Sequence, residues 1–218
     1  MRNDDAGSVA RGTSEGPPTP GGDAADPARV ALSADDTDAA AGVPVWFLDV
    51  DGVINIDTDA SLEGTNVVEL VVRGWPVTIR YRPAVVSRIN ALQRSGMVEV
   101  VWLTTWHQDA VDVLSPAIGL DPFSVADERS DGPSLAAHPE NALGLTWWKE
   151  AAARVHLMQR RSSAFVWTDD ELAVGRTEVH SWAPGRKLLL APEPHLGLTV
   201  ADLSAIEAFV RPSGPSAL

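Results

Sequence analysis

Val45-Trp46-Phe47-Leu48-Asp49-Val50-Asp51-Gly52-Val53 decides the reading of this chain. Its first four residues are all apolar and read as a short buried strand. They run straight into two carboxylates one residue apart and then a glycine. Carboxylates are costly at the end of an apolar strand unless something compensates them. A divalent cation does so, and open α/β sheets place their ligands at the carboxyl ends of strands. The segment therefore points to a metal-dependent site whose other parts lie elsewhere in the chain.

Outward from this stretch, strand and helix signals alternate. Strand one runs over 45–50. The β-rich runs 66–72 and 77–82 flank Arg73-Gly74-Trp75-Pro76 and read as a hairpin. Helical spacing of Val86, Ile89 and Leu92 predicts a helix over 83–94, stopped at Gly96. A second buried strand covers 98–103, with a helix around 108–114 and a short strand at 123–126. A helix over 146–160, strands at 164–168 and 187–190, and a helix over 199–210 complete the pattern. Thr199 and Asp202 are spaced as a capping pair for the last helix. Strands separated by helices predict an α/β fold with a doubly wound, mostly parallel sheet.

Three of these strands end in polar clusters. The 98–103 strand ends in Thr104-Thr105-Trp106-His107, and the 164–168 strand in Asp169-Asp170-Glu171. Lys149 stands in the first turn of the 146–160 helix, after Trp147-Trp148. Parallel strands bring the three strand ends to one edge of the sheet. The set suits phosphoryl transfer. A carboxylate can attack phosphorus, a hydroxyl and an ammonium can hold phosphoryl oxygens, and further carboxylates can hold Mg²⁺.

The order Asp-Val-Asp-Gly-Val, strand plus Thr, Lys, strand plus Asp-Asp resembles the haloacid dehalogenase-like (HAD) superfamily over about residues 44–210. The resemblance implies Asp49 as nucleophile and Asp51 as the acid that protonates the leaving group, then the base that activates water. It implies Thr104 as the phosphate-binding hydroxyl, with Thr105 a rival for that register, and Lys149 as the cation beside nucleophile and phosphate. Mg²⁺ would be held by Asp49, the backbone carbonyl of Asp51, Asp169 and Asp170. Gap lengths imply a capless member. Only the hairpin and one helix separate Asp51 from Thr104, and about 44 residues separate Thr104 from Lys149. The site is then open and flanked by the hairpin, where Thr78, Arg80 and Arg82 share a face opposite Val77, Ile79 and Tyr81. Arg80 is the hairpin's candidate substrate contact. Trp102, Trp106, Trp147, Trp148 and Trp167 fall at or beside the clusters. Core packing accounts for them plainly, and an aromatic wall over the substrate is the sharper account for Trp106 and Trp147.

Composition sets the limits. A chain of 218 residues with 44% hydrophobic content fits one domain plus tails. Residues 1–43 have almost no large apolar side chains and read as a disordered tail, residues 44–211 as the hydrolase domain, and 212–218 as a flexible end. No cysteine is present, so disulfides and thiolate metal sites are excluded. Neither a membrane-span window nor an apolar signal core is visible, and the expectation is a cytoplasmic protein. The formal charge is -13; residues 1–40 hold eight acids and three bases, leaving -8 on the rest. An acidic folded part argues against non-specific nucleic-acid binding, though not against a phosphorylated substrate met by local cations. The sequence thus predicts a Mg²⁺-dependent phosphatase acting through an aspartyl-phosphate. A catalytically weak domain serving as a protein-interaction module is the alternative. Receiver and Toprim folds also gather carboxylates at strand ends. A receiver places its acidic pair before the phosphorylated aspartate, and Toprim wants a glutamate on the first strand.

Overall fold

The computed structural model describes residues 42–58, 60, 62–126, 147–173 and 185–211. The expected tail (apart from its last two residues), the expected end at 212–218 and the predicted helix start at Thr146 lie outside them.

β1 (Val45–Leu48) is buried throughout. A separate antiparallel hairpin is formed by β2 (Asn66–Val72) and β3 (Trp75–Tyr81). With β4 (Glu99–Trp102), β5 (Ser124–Val125), β6 (Ala164–Thr168) and β7 (Arg186–Leu190), β1 makes a five-stranded sheet. Its order is β5-β4-β1-β6-β7, and every pairing is parallel. The chain therefore leaves β1 to build one side and returns to build the other. Such a reversal at a central strand is where open α/β sheets bind ligands.

Side chains along β1 alternate between two cores. Trp46 and Leu48 pack in one with Val86, Ile89, Leu203 and Ile206. These come from α1 (Pro83–Arg94) and, later in the chain, Val200–Val210. Val45 and Phe47 pack in the other with Trp147, Ala152, Ala153 and Leu157, mostly from Trp148–Arg160. In chain order the α-helices among the described residues are α1, α2 (Ser115–Ile118), α3 (Trp148–Arg160) and α4 (Val200–Val210). Full burial of each aliphatic or Phe side chain in these cores contributes roughly 1.5–3 kcal/mol. Trp46 needs one more thing, a partner for its buried indole N–H, which donates to Thr168 Oγ1 at 3.0 Å.

Strand register sets the site. Leu48 pairs with Trp102 on one side and Thr168 on the other. The next residues, Asp49, Leu103 and Asp169, thus emerge level at one edge.

α1 and β6 have their predicted limits, and Thr199 caps α4 through a reciprocal bond with Asp202. Strand one stops at Leu48 and several other ends shift by one or two residues; two elements differ in kind. The hairpin turn is only Arg73-Gly74, both left-handed with φ of 51° and 85°, and Trp75 and Pro76 already pair with Val72 and Val71. A two-residue primed turn matches strand twist, and Pro76 is tolerated on a strand with a free edge. The helix expected over 108–114 starts at Gln108 as expected, but widens into a π-type turn at Ala110–Leu114 and continues into α2, ending on Gly119 at φ 82°. Among the described residues there is no cap domain beyond the hairpin.

Candidate active site

Asp49 is 5% exposed just past β1. Its Oδ1 accepts the Val50 N–H at 2.7 Å, and its Oδ2 accepts Lys149 Nζ at 2.6 Å. Lys149, itself 3% exposed, also donates to Asp169 Oδ2 at 2.8 Å. Glu171 stands 3.6 Å from the same ammonium. The first turn of α3 thus drives one cation between the ends of β1 and β6. Asp169 is fully buried and is further held by the Glu171 N–H at 3.0 Å and Trp167 Nε1 at 3.3 Å. Trp147, whose ring lies 5.8 Å from Lys149 Nζ, stacks on Trp167 with centroids 5.0 Å apart and planes at 9°.

The charges do not balance. Burial pushes the Asp49 carboxyl up, with the Lys149 ammonium opposing. Burial and the Asp49 charge push Asp169 up to about 7. Burial lowers Lys149, but the two carboxylates outweigh it and hold the ammonium protonated above its ordinary value. One cation cannot neutralise two buried carboxylates, so surplus negative charge remains. Burial also raises Asp170. Oxygens of Asp49, Asp169 and Asp170 all lie within 4.8 Å of one another. An all-oxygen, under-compensated donor set of this kind fits Mg²⁺.

Gly52 makes the approach of Asp170 possible. Its φ is +70°, and a Cβ there would lie 2.6 Å from Asp170 Cγ. Only glycine accepts both the backbone and the contact.

Asp51 is placed apart from this cluster. Its exposed carboxylate accepts Trp106 Nε1 at 2.8 Å and Asn55 Nδ2 at 3.0 Å. Its side chain does not join the three-carboxylate group, so of the four expected metal residues only Asp49, Asp169 and Asp170 converge by side chain. Thr104 is 1% exposed, accepts the Trp106 N–H at 3.3 Å and hydrogen-bonds Asp49, whereas Thr105 points to solvent. The threonine beside Asp49 is therefore Thr104.

Of the two accounts of Trp106 and Trp147, core packing is the one seen. Trp106 is 8% exposed and packs in the core with its N–H turned to Asp51, and Trp147 is likewise buried on Trp167. Both are packed residues of the site's frame. Arg80 lines a cleft of about 350 Å³ with Asp51, Asn55, Asp57, Thr78 and Asp170. Arg82 donates to the carbonyls of Leu196 and Leu198 and so ties down the chain before α4. Asn55 is a contributor the sequence reading missed. Its only local signal is a position four residues after Asp51 in a tight turn, where Val50 O accepts three consecutive N–H groups from Val53 to Asn55.

A family described as the HAD domain in Swiss Army Knife RNA repair proteins matches residues 45–203. No curated protein and no solved structure matches the chain.

Proposed function

Because the chain belongs to the family of HAD domains in Swiss Army Knife RNA repair proteins, a hydrolase type, we propose that it is a Mg²⁺-dependent phosphomonoesterase working through an aspartyl-phosphate. One observation carries the reading. Asp49, Lys149, Asp169 and Asp170 meet at the reversal point of the sheet, with a surplus of carboxylate charge.

In the first step Asp49 Oδ attacks phosphorus as the bond from phosphorus to the ester oxygen breaks, and that oxygen takes the proton of Asp51. In the second step water attacks the same phosphorus, Asp51 takes a proton from it, and the bond to Asp49 breaks. Lys149 and the Thr104 hydroxyl, both beside Asp49, stabilise the phosphoryl oxygens. Asp49, Asp169 and Asp170 would hold the Mg²⁺, which supplies charge neutralisation for the transferring group.

The family's description supports a phosphorylated RNA end as the substrate, and the cleft under the hairpin has no described cap to exclude a chain. The exposed hairpin residues Val67, Val71 and Trp75 support a second reading, a binding module. Hydrolysis of an aryl phosphate and of phosphorylated oligoribonucleotides, with Mg²⁺, with EDTA and in Asp49→Asn, tests both. Activity lost on chelation and in the variant is expected. Activity indifferent to both would sink the mechanism, and Mg²⁺-independent binding without turnover would favour the module.

A further inference from the structure

We propose that Trp106 and Asn55 are positioning residues for Asp51, and that the β2–β3 hairpin holds both of them in place. The inference rests on the reading of Asp51 as the group that moves the proton. A carboxylate at an exposed loop end swings freely unless something grips it, and proton transfer to a leaving oxygen requires a fixed direction. Asp51 is gripped on both oxygens, Oδ2 by the Trp106 indole at 2.8 Å and Oδ1 by the Asn55 amide at 3.0 Å. Each oxygen keeps a second lone-pair site, so the carboxyl can still carry a proton outward.

Each gripping residue is in turn tied to the hairpin. Asn55 Oδ1 accepts the Arg80 N–H of β3 at 3.1 Å. A backbone N–H only donates, which fixes the amide oxygen toward the hairpin and its NH₂ toward Asp51. The Ile56 N–H donates to Arg80 O at 2.8 Å and pins the same turn. On the other side, Arg73 in the hairpin turn donates to Trp106 O at 3.2 Å and to Asp109 Oδ2 at 2.7 Å. Trp106 therefore stands between Thr104, which accepts its N–H, and the hairpin turn, which caps its carbonyl. A phenylalanine keeps an aromatic ring at this buried position, at some loss of packing, but has no donor.

The test is the dependence on leaving group. A nitrophenolate departs without help, whereas an alkoxide needs the proton, and a well-placed acid is worth about 100- to 10,000-fold. We measure kcat and KM of wild type, Trp106→Phe and Asn55→Ala, with Mg²⁺, on p-nitrophenyl phosphate and on glycerol phosphate. The expected result is a loss in kcat/KM, which reports the step in which the leaving oxygen takes its proton and not the later attack of water, at least tenfold larger on the alkyl ester than on the aryl ester. In an Asp51→Asn background, Trp106→Phe should add no further loss. Equal kcat/KM losses on both esters, or full alkyl-ester turnover, overturn the inference. Asn55→Ala carries the same test if Trp106→Phe does not fold by circular dichroism. A wild type inert on both esters, or an active Asp49→Asn, overturns the phosphatase reading instead and the inference with it.

Discussion

Replacing Lys149 with methionine keeps the apolar stem at nearly its length and removes the ammonium that Asp49 and Asp169 share. Both carboxylates then stay buried, at 5% and 0% exposure, with no cation between them. Their escape is to bind a proton and share it. Protonating an aspartate of ordinary pKa costs about 1.4 kcal/mol per pH unit above ~3.9, hence about 5.6 kcal/mol at pH 8 and about 1.5 at pH 5. The first figure sits just above the roughly 3–5 kcal/mol typical of a broken buried ion pair. We therefore expect a loss of about 3–5 kcal/mol at pH 8 and about 1–2 kcal/mol at pH 5. At roughly 2–4 °C per kcal/mol for a domain of this size, Tm falls by about 6–20 °C at pH 8 and by only a few degrees at pH 5. The sign follows from the direction of the shift. A carboxyl raised in the folded state contributes stability fully present below its unfolded pKa and lost as pH rises through its folded pKa. Thermal unfolding by circular dichroism in EDTA at the two pH values measures it. A drop under about 3 °C at pH 8, or equal drops at both, would show that the cation is not what holds these carboxylates in the fold.

Gly52→Ala should move Asp170 outward, because its new Cβ would otherwise lie 2.6 Å from Asp170 Cγ on a backbone at φ +70°. The expected result is weaker Mg²⁺ binding by calorimetry and a Tm loss of several degrees; unchanged affinity would show that Asp170 is not a ligand. His156 is lowered to about 4 by burial and by Arg160, and its Nε2 has no partner among the described residues. A lowered histidine gives stability that is present above its unfolded pKa and lost as pH falls through its folded one. His156→Phe, which keeps the edge contact with Phe47, should therefore gain Tm over wild type more at pH 4.5 than at pH 7.5; an equal gain at both would refute it.

What the sequence made legible followed from local signals. Apolar runs ending in carboxylates located β1 and β6, and the spacing of Val86, Ile89 and Leu92 placed α1 within its observed limits. The choice between Thr104 and Thr105 needed burial, because alternation alone does not say which of two adjacent hydroxyls turns inward. Trp106 invited a surface role because indoles suit both cores and ligand walls, and its direction depends on Asp51, 55 residues away. Gly52 gave no hint of its reason, since the atom it makes room for belongs to Asp170. The hairpin turn was read too wide because Pro76 is a turn residue by composition, while the positive φ of Arg73 is invisible to propensity.

The stacked pair Trp147 and Trp167 has an optical consequence. Two near-parallel indoles 5.0 Å apart couple their excited states, and give an exciton couplet in the circular dichroism spectrum if their in-plane transition moments are skewed. One ring faces the Lys149 ammonium and the other donates to Asp169. A cation arriving among the carboxylates would change the field across both chromophores at once. The chain thus carries its own reporter of occupancy, readable without a label or a substrate.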